Sequence, residues 1–311
     1  MLPTELEAEI LNLPDTDNHT IVLVTSNSLR HKRFAYRMQQ EFGDLVVAWY
    51  EFSNESSPNS KIHSTPKNNS FGSRIQKIQE YLNAHGIKGT AKKVISVATE
   101  KLNPFKGEHD ALEEESLFLK EEVDFLKKYQ KLDPVQISSS SVHSSKFIEE
   151  IKELDPYFFL TLGGPLYKKP ILDSIRGAAI NQHAGHSPTY KGSNTIMWAL
   201  YHRSLQHVSS TVHLTTTGAD AGQILRRSSP CIFPNDSAYT IFLRTVSLGT
   251  ELMIESVQEI IENKELTVFK QPTRSGKTYL NREFDPRVAK AIARDFKANW
   301  LQNELNKQRN F

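Results

Sequence analysis

Asn181 and His183, two residues apart, are the first candidates for chemistry in this chain. Ala178–Asn181 reads as a buried strand whose C-terminal end delivers both to a loop punctuated by Gly185, Pro188 and Gly192. A spacing of two on extended backbone turns both side chains to one face. An amide donates to a developing oxyanion, and an imidazole with an ordinary pKa of roughly 6.5 exchanges protons at neutral pH. Asp220 lies in a second, glycine-flanked turn, TTGADAGQI. A carboxylate there can orient His183 or hold a water. Such a trio suits acyl transfer to an amine: it polarises a carbonyl, stabilises a tetrahedral oxyanion and moves protons. A quieter reading uses the same residues: Asn181 caps a turn, His183 is a surface histidine and Asp220 steadies its own turn. His186, inside the loop, is a further candidate.

Other chemistries fit less well. His202, His207 and His213 do not form a metal-binding spacing, and HExxH is absent. The single cysteine, Cys231, argues against a soft-ligand zinc site, so no metal is expected. It also precludes an intrachain disulfide, which fits a reducing compartment. Ser187 has no GxSxG context, and the turn after TIVLV carries no GxGxxG. The run RSGKT lacks the phosphate-loop glycine, Gln271 standing in its place, and no helical pattern follows it. Lysine plus arginine number 38 against 36 acidic residues, a net charge of +2 that gives no reason to invoke nucleic acid. No apolar run reaches membrane-spanning length, and the acidic opening MLPTELEAEI does not resemble a signal peptide. A cytoplasmic protein is expected, with no membrane partner.

The elements that must position the trio read as α/β. Thr20–Val24 is a strand, Leu29–Phe42 a helix and Leu45–Tyr50 the next strand, the opening of a parallel sheet. A partly helical lead-in is expected over Glu5–Leu11. Residues 52–71 read as a loop, and Ser73–Tyr129 as a charged helical insertion with Phe118, Val123 and Phe125 on its apolar side. Its charge runs read as a solvated face. Val135–Ser138 is expected at a sheet edge, with Ser144 or Ser145 capping a helix over Lys146–Leu154. Tyr157–Leu162 forms a buried strand stopped by Gly163–Gly164–Pro165, and a short helix follows over Lys169–Arg176. Further on come a helix over Thr195–Tyr201, strands over Ser210–Thr215 and Gln223–Arg226, and a helix over Ser237–Ile261 with Leu243, Leu248, Leu252 and Ile260 facing the core. Beyond Leu266 a loop is expected, then one helix from Asp285–Pro286 to about Lys307.

The paired stretches NQHAGHSPTYKG, at 181–192, and STVHLTTTGADAGQIL, at 210–225, resemble the folate-dependent formyltransferase family. Its pattern is Asn-x-His with a Pro-x-x-Arg-Gly-like end, then a histidine-bearing strand and Asp-x-Gly. Asn181, His183, Pro188, Gly192, His213, Asp220 and Gly222 fall on it. Lys191 stands where arginine is common, His186 where leucine is usual and Gly185 where serine is frequent. The resemblance implies a Rossmann-like formyltransferase fold with a mostly parallel central sheet, a helical insertion (52–130) and a short helical C-terminal extension (266–311) after a catalytic domain at 1–265. It implies 10-formyltetrahydrofolate as formyl donor, with Asn181 on the formyl oxygen, His183 supporting proton movement and Asp220 positioning His183 and a water. The donor's pterin would lie against Leu162, Gly163, Gly164 and Leu166 and the turn of Thr216 and Gly218. The acceptor, a small amine such as a nucleotide-linked amino sugar, would face Ser26, Arg30 and His31, with Arg30 pairing a phosphate or carboxylate. The insertion would shape an acceptor pocket or a subunit contact, the latter giving a homo-oligomer. The tail is too short and too helical for the β-barrel domain of methionyl-tRNA formyltransferases. Alternatives are a non-catalytic folate- or ligand-binding protein and a formyltetrahydrofolate hydrolase.

Overall fold

The computed structural model describes residues 2–53, 107–263, 265–272 and 275–309. In chain order the elements are β1 (Ala8–Asn12), β2 (Ile21–Thr25), α1 (Leu29–Phe42), β3 (Val46–Ser53), α2 (Gly107–Leu126), β4 (Val135–Ser138), α3 (Ser145–Leu154) and β5 (Phe158–Leu162). Next come α4 (Lys169–Leu172), β6 (Ala178–His183), β7 (Tyr190–Gly192), α5 (Thr195–Tyr201), β8 (Ser210–Leu214) and β9 (Ile224–Ser228). The last are α6 (Ala238–Glu262), β10 (Glu265–Phe269), β11 (Lys277–Tyr279), α7 (Pro286–Lys297) and α8 (Trp300–Arg309).

One sheet carries nine strands in the order β1-β10-β9-β8-β6-β5-β2-β3-β4. From β4 to β6 the strands pair in parallel, and from β6 through β8, β9 and β10 to β1 they pair antiparallel. β2, IVLVT, the middle of the five parallel strands, is buried along its whole length, as parallel strands covered on both faces are. Alternation sorts its residues: Ile21 and Leu23 pack with Phe158, Leu160 and α6, whereas Val22 and Val24 pack with Tyr50, Phe159 and α3. A third apolar cluster joins α5 to α7 and α8 through Trp198, Ile241, Ile292 and Leu301. Among the described residues no helix is long and apolar enough to cross a membrane.

Several expectations meet a different structure. Glu5–Leu11 is not helical: Ala8–Asn12 is an edge strand, because β10 offers it a partner of five paired residues. The stretch after Leu266 is not all loop. β10 joins the main sheet through Phe269, which pairs with Ile224 of β9, and β11 pairs in parallel with β7. The last helix is two, broken where Asn299 takes φ +56°. The helix after β5 stops at Leu172, short of Arg176. On α2, Leu119 and Val123 face the core and Phe118 packs at its margin, but Phe125 is 57% exposed. The loop and helix expected over 52–106 lie, from residue 54 on, outside the described residues. Ser144 is the cap of α3, its Oγ accepting from Phe147 N at 3.2 Å, and β4 does form a sheet edge.

Three parallel strands place the site. β2, β5 and β6 run side by side and end together at Thr25, Leu162 and His183, so the loops after them open on one edge of the sheet. β8 then pairs antiparallel with β6, setting His213 opposite Asn181. Helix α6 lies against β6 and β8 at Gly249. A Cβ there would stand 2.1 Å from Ser210 Oγ and 2.6 Å from Gln182 Nε2. Gly249→Ala should therefore destabilise the fold by about 1–3 kcal/mol, the usual cost of overpacking, measured as a lower urea midpoint at unchanged m-value.

Candidate active site

At that edge lies a cleft of about 660 Å³, within the size range of small-molecule sites. Asn181, His183 and Asp220 meet in it. So do Leu162, Gly163, Gly164, Leu166, Thr216, Gly218, Ser26, Arg30 and His31. The two loops that carry the trio are 37 residues apart between His183 and Asp220; the register of β6 against β8 and the turn at 215–222 bring them together.

Asp220 takes φ +48°, a left-handed conformation that short polar residues tolerate. Gly222 allows the turn, since a Cβ there would stand 1.8 Å from the Leu214 carbonyl oxygen. The carboxylate is buried among donors. Gly192 N–H donates to Oδ2 at 2.6 Å. His183 Nδ1 lies 3.4 Å from the same oxygen, and His213 Nε2 lies 3.4 Å from Oδ1. Burial pushes this carboxyl up, but the charge of His183, the hydrogen bond and charge of His213 and the Gly192 N–H outweigh it and hold the group well below the carboxylate range. Asp220 is thus ionised at neutral pH.

Each imidazole is tied by its other nitrogen to a carbonyl. His183 Nε2 donates to Tyr190 O at 3.0 Å, and His213 Nδ1 donates to Leu214 O at 2.8 Å. A carbonyl only accepts, so these nitrogens carry hydrogen. The nitrogens left to gain or lose a proton, His183 Nδ1 and His213 Nε2, both face Asp220. Asn181 is oriented from both sides: its Oδ1 accepts from Thr161 Oγ1 at 2.8 Å, and its Nδ2 lies 3.2 Å from His213 Nε2. His213 Nε2 accepts one of the two amide hydrogens when the ring is neutral and donates to Asp220 when it is protonated. The arrangement can donate a hydrogen bond into the cleft and hold a mobile proton beside a fixed carboxylate.

The glycine-rich wall has the form of a cradle. Gly163 and Gly164 take φ +74° and +124°, and Cβ atoms there would meet His31 Nε2 at 3.1 Å and Phe52 Cζ at 2.8 Å. Leu166, 57% exposed, stands at its rim, so an apolar lip borders the opening. His31 is buried, accepts or donates with Ser28 Oγ at 2.7 Å through Nδ1, and is kept neutral by burial and by Arg30.

Two of the expected residues sit in unexpected company. Arg30 lines the cleft but is already paired. Its NH1 donates to Glu115 Oε2 at 2.7 Å, its backbone N–H donates to Glu115 Oε1 at 2.8 Å, and its guanidinium lies 5.4 Å over the Phe242 ring. Glu115 is 1% exposed, on a helix whose charges read as a solvated face. Tyr239 donates to the same carboxylate at 3.0 Å. His186 does not reach the cleft. Its ring packs edge-on against His207, with centroids 4.7 Å apart, near Arg227.

The sequence reading gave Thr161 no part in the site, and it placed His213 on the family pattern without assigning it a role there. For Thr161 the signal is its hydroxyl in the middle of the buried apolar run FFLTL; for His213 it is the alternation with Val212 and Leu214, which the metal-spacing test set aside. Glu115, Tyr239 and the C-terminal Tyr279 and Asn281, which also line or support the cleft, carried no local signal. Among the described residues no group of three or more His, Cys, Asp or Glu side chains is placed to hold a metal ion.

A family model described as formyl transferase matches residues 70–257. A methionyl-tRNA formyltransferase of Caldanaerobacter subterraneus subsp. tengcongensis is 29% identical over 123 residues, 39% of this chain and 40% of that protein. The protein of the same name from Thermodesulfovibrio yellowstonii is 31% identical over 115 residues, 37% of each. The chain thus spans about two fifths of the length of the curated relatives it matches. Among solved structures, a sugar N-formyltransferase from Shewanella sp FDAARGOS_354 superposes with a TM-score of 0.50 at 13% identity, covering 85% of this chain and 78% of that one. This likeness is one of fold.

Two measurements probe the geometry. A Cβ on Gly185 would stand 2.1 Å from His183 Nε2 and 2.5 Å from Thr195 Oγ1, so Gly185→Ala should turn the His183 ring off the Tyr190 carbonyl, seen as a changed histidine ring resonance in a folded protein. His186 is held below its ordinary 6.5, at about 4, first by burial and then by Arg227 and His207. The unfolded chain therefore binds a proton between pH 6.5 and about 4 that the folded one refuses, and stability falls as pH drops through that window. Urea unfolding at a series of pH values should show a shallower fall for His186→Asn than for the natural protein.

Proposed function

The chain belongs to the formyl transferase family, and from that premise we propose that it moves a formyl group from 10-formyltetrahydrofolate to the amine of a small acceptor. The observation that carries the reading is the joint placement of Asn181, His183 and Asp220 around one cleft. The cradle fits the donor: positive-φ glycines let backbone approach closely, and Leu162, Leu166 and Tyr167 supply apolar walls for a flat heterocycle. Bound there, the donor supplies the activated one-carbon unit.

The chain's own groups do the rest. Thr161 and His213 fix the Asn181 amide so that its remaining N–H points at a carbonyl oxygen in the cleft, where a donor held in advance needs no reorganisation. Tyr190 O fixes His183 Nε2–H, so Nδ1 takes the proton that leaves the amine and returns it to the departing nitrogen. Asp220, ionised and held by Gly192 N–H, orients that imidazole and stabilises its protonated form. Gly163–Leu166 and Thr216–Gly218 hold the donor. Ser26, Arg30 and His31 form the acceptor side with Tyr239 and Phe242.

For the acceptor we infer a small amine, in the first instance a nucleotide-linked amino sugar. The match to methionyl-tRNA formyltransferases covers too little of those proteins to bring their acceptor with it. The charge of Arg30 is balanced by Glu115, so the wall nearest the trio favours an uncharged ring, with any phosphate lying farther out.

The test is a screen of amines and nucleotide-linked amino sugars with 10-formyltetrahydrofolate, followed by release of tetrahydrofolate and by mass gain of 28 Da, about the mass of CO, on the acceptor. Transfer should be found with at least one amine, and His183→Ala or Asp220→Asn should lower kcat on the order of 10²–10⁴-fold, the usual contribution of a positioned acid–base group, in proteins that still unfold cooperatively. Formate release without acceptor as the sole reaction would instead assign a hydrolase. Donor binding without turnover with any amine would assign a binding protein.

A further inference from the structure

We propose that Gln271 is a positioning residue that holds the Asp220 turn in its working geometry, so that the C-terminal segment completes the site. Gln271 lies outside residues 70–257, the part matched by the family model. Its Nε2 donates to Asp220 O at 2.8 Å and to Gly222 O at 2.7 Å. Both partners are carbonyls, so the amide must present its NH₂ and spends both hydrogens there.

The turn depends on such a tie. Asp220, a residue with a Cβ, holds a left-handed φ of +48°, and the backbone at Gly222 passes so near the Leu214 carbonyl that only glycine fits, so the turn has a narrow choice of geometry that an outside tie can fix. Gln271 is itself anchored on both sides. Before it, Phe269 pairs with Ala8 and Ile224, and Lys270 N–H donates to Glu7 O at 2.9 Å. After it, Lys277 N–H donates to Thr189 O at 3.0 Å, and β11 pairs with β7 through Gly192. Gly276 permits this approach, since a Cβ there would stand 2.0 Å from Pro188 O. The same short segment therefore braces the Asp220 turn and the strand whose Gly192 N–H donates to the Asp220 carboxylate. The titratable groups facing that carboxylate are His183 from β6 and His213 from β8.

The inference rests on the formyl-transfer reading for its turnover readout alone. The experiment compares the natural protein with Gln271→Glu, which keeps the shape but turns an acceptor on two carbonyls, and Gln271→Leu, which removes the donors without adding charge. Histidine ring resonances are followed by NMR from pH 5 to 9, alongside kcat, KM and the pH profile of kcat. In both variants the titrations of His183 and His213 should move, and kcat should fall on the order of tenfold to a hundredfold, as for a small misplacement of a reacting group, with KM for the acceptor unchanged within about twofold. Natural titrations and an unchanged kcat profile in either folded variant, with only a lower melting temperature, would overturn the proposal and leave Gln271 a packing residue. Moved titrations in a protein that transfers no formyl group would keep the positioning role and discard the transfer reading.

Discussion

A carboxylate out of water is the constraint around which this molecule is arranged. An ionised group buried without partners costs several kcal/mol, and Asp220 is kept ionised by three groups drawn from three separate segments. Each oxygen faces one imidazole, and each imidazole is anchored at its far nitrogen by a backbone carbonyl. Neither ring can turn without losing that bond. A proton gained by either ring can therefore sit only on the nitrogen that faces Asp220. Asn181 joins the same network through His213, so the amide that would grip an oxygen and the base that would take a proton are set by one arrangement.

A second buried carboxylate governs the other wall. Glu115 ties Arg30 to Tyr239 and so joins α1, α2 and α6 at the mouth of the cleft. A guanidinium held this way is stiff and electrically compensated. The helix that contributes Glu115 is thereby part of the cleft's architecture, and its exposed residues, such as Leu117 and Phe125, lie on other faces.

Much of this was legible in the sequence because it is local. The buried runs TIVLV and FFLTL, the helix over Leu29–Phe42, a serine cap at Ser144 or Ser145 and the periodicity of α6 follow from residue type and spacing, and the structure has them within a residue or two, with Ser144 as the cap. Leu243, Leu252 and Ile260 are buried as their spacing requires. What stayed hidden depends on distant chain. Ala8–Asn12 alternates weakly and becomes a strand only because β10 offers it an edge. Glu115 looks like one acid among many until Arg30 is brought beside it. His186 sits in the right loop, but the ring turns toward His207 rather than the cleft. Gly276–Thr278, within RSGKT, matches no local template because its partners are the Pro188–Thr189 backbone and β7.

The pairing of β1 with β10 has a consequence for how the molecule is made. Residue 8 meets residue 269, and the tie from Gln271 to the Asp220 turn comes later still. Contacts of such separation are slow to form because a long loop must close before they reward the chain. During synthesis the parallel half of the sheet can assemble while β1 waits, unpaired, until β10 emerges. The reactive cleft is then completed only when the segment carrying Gln271 has been drawn to the Asp220 turn.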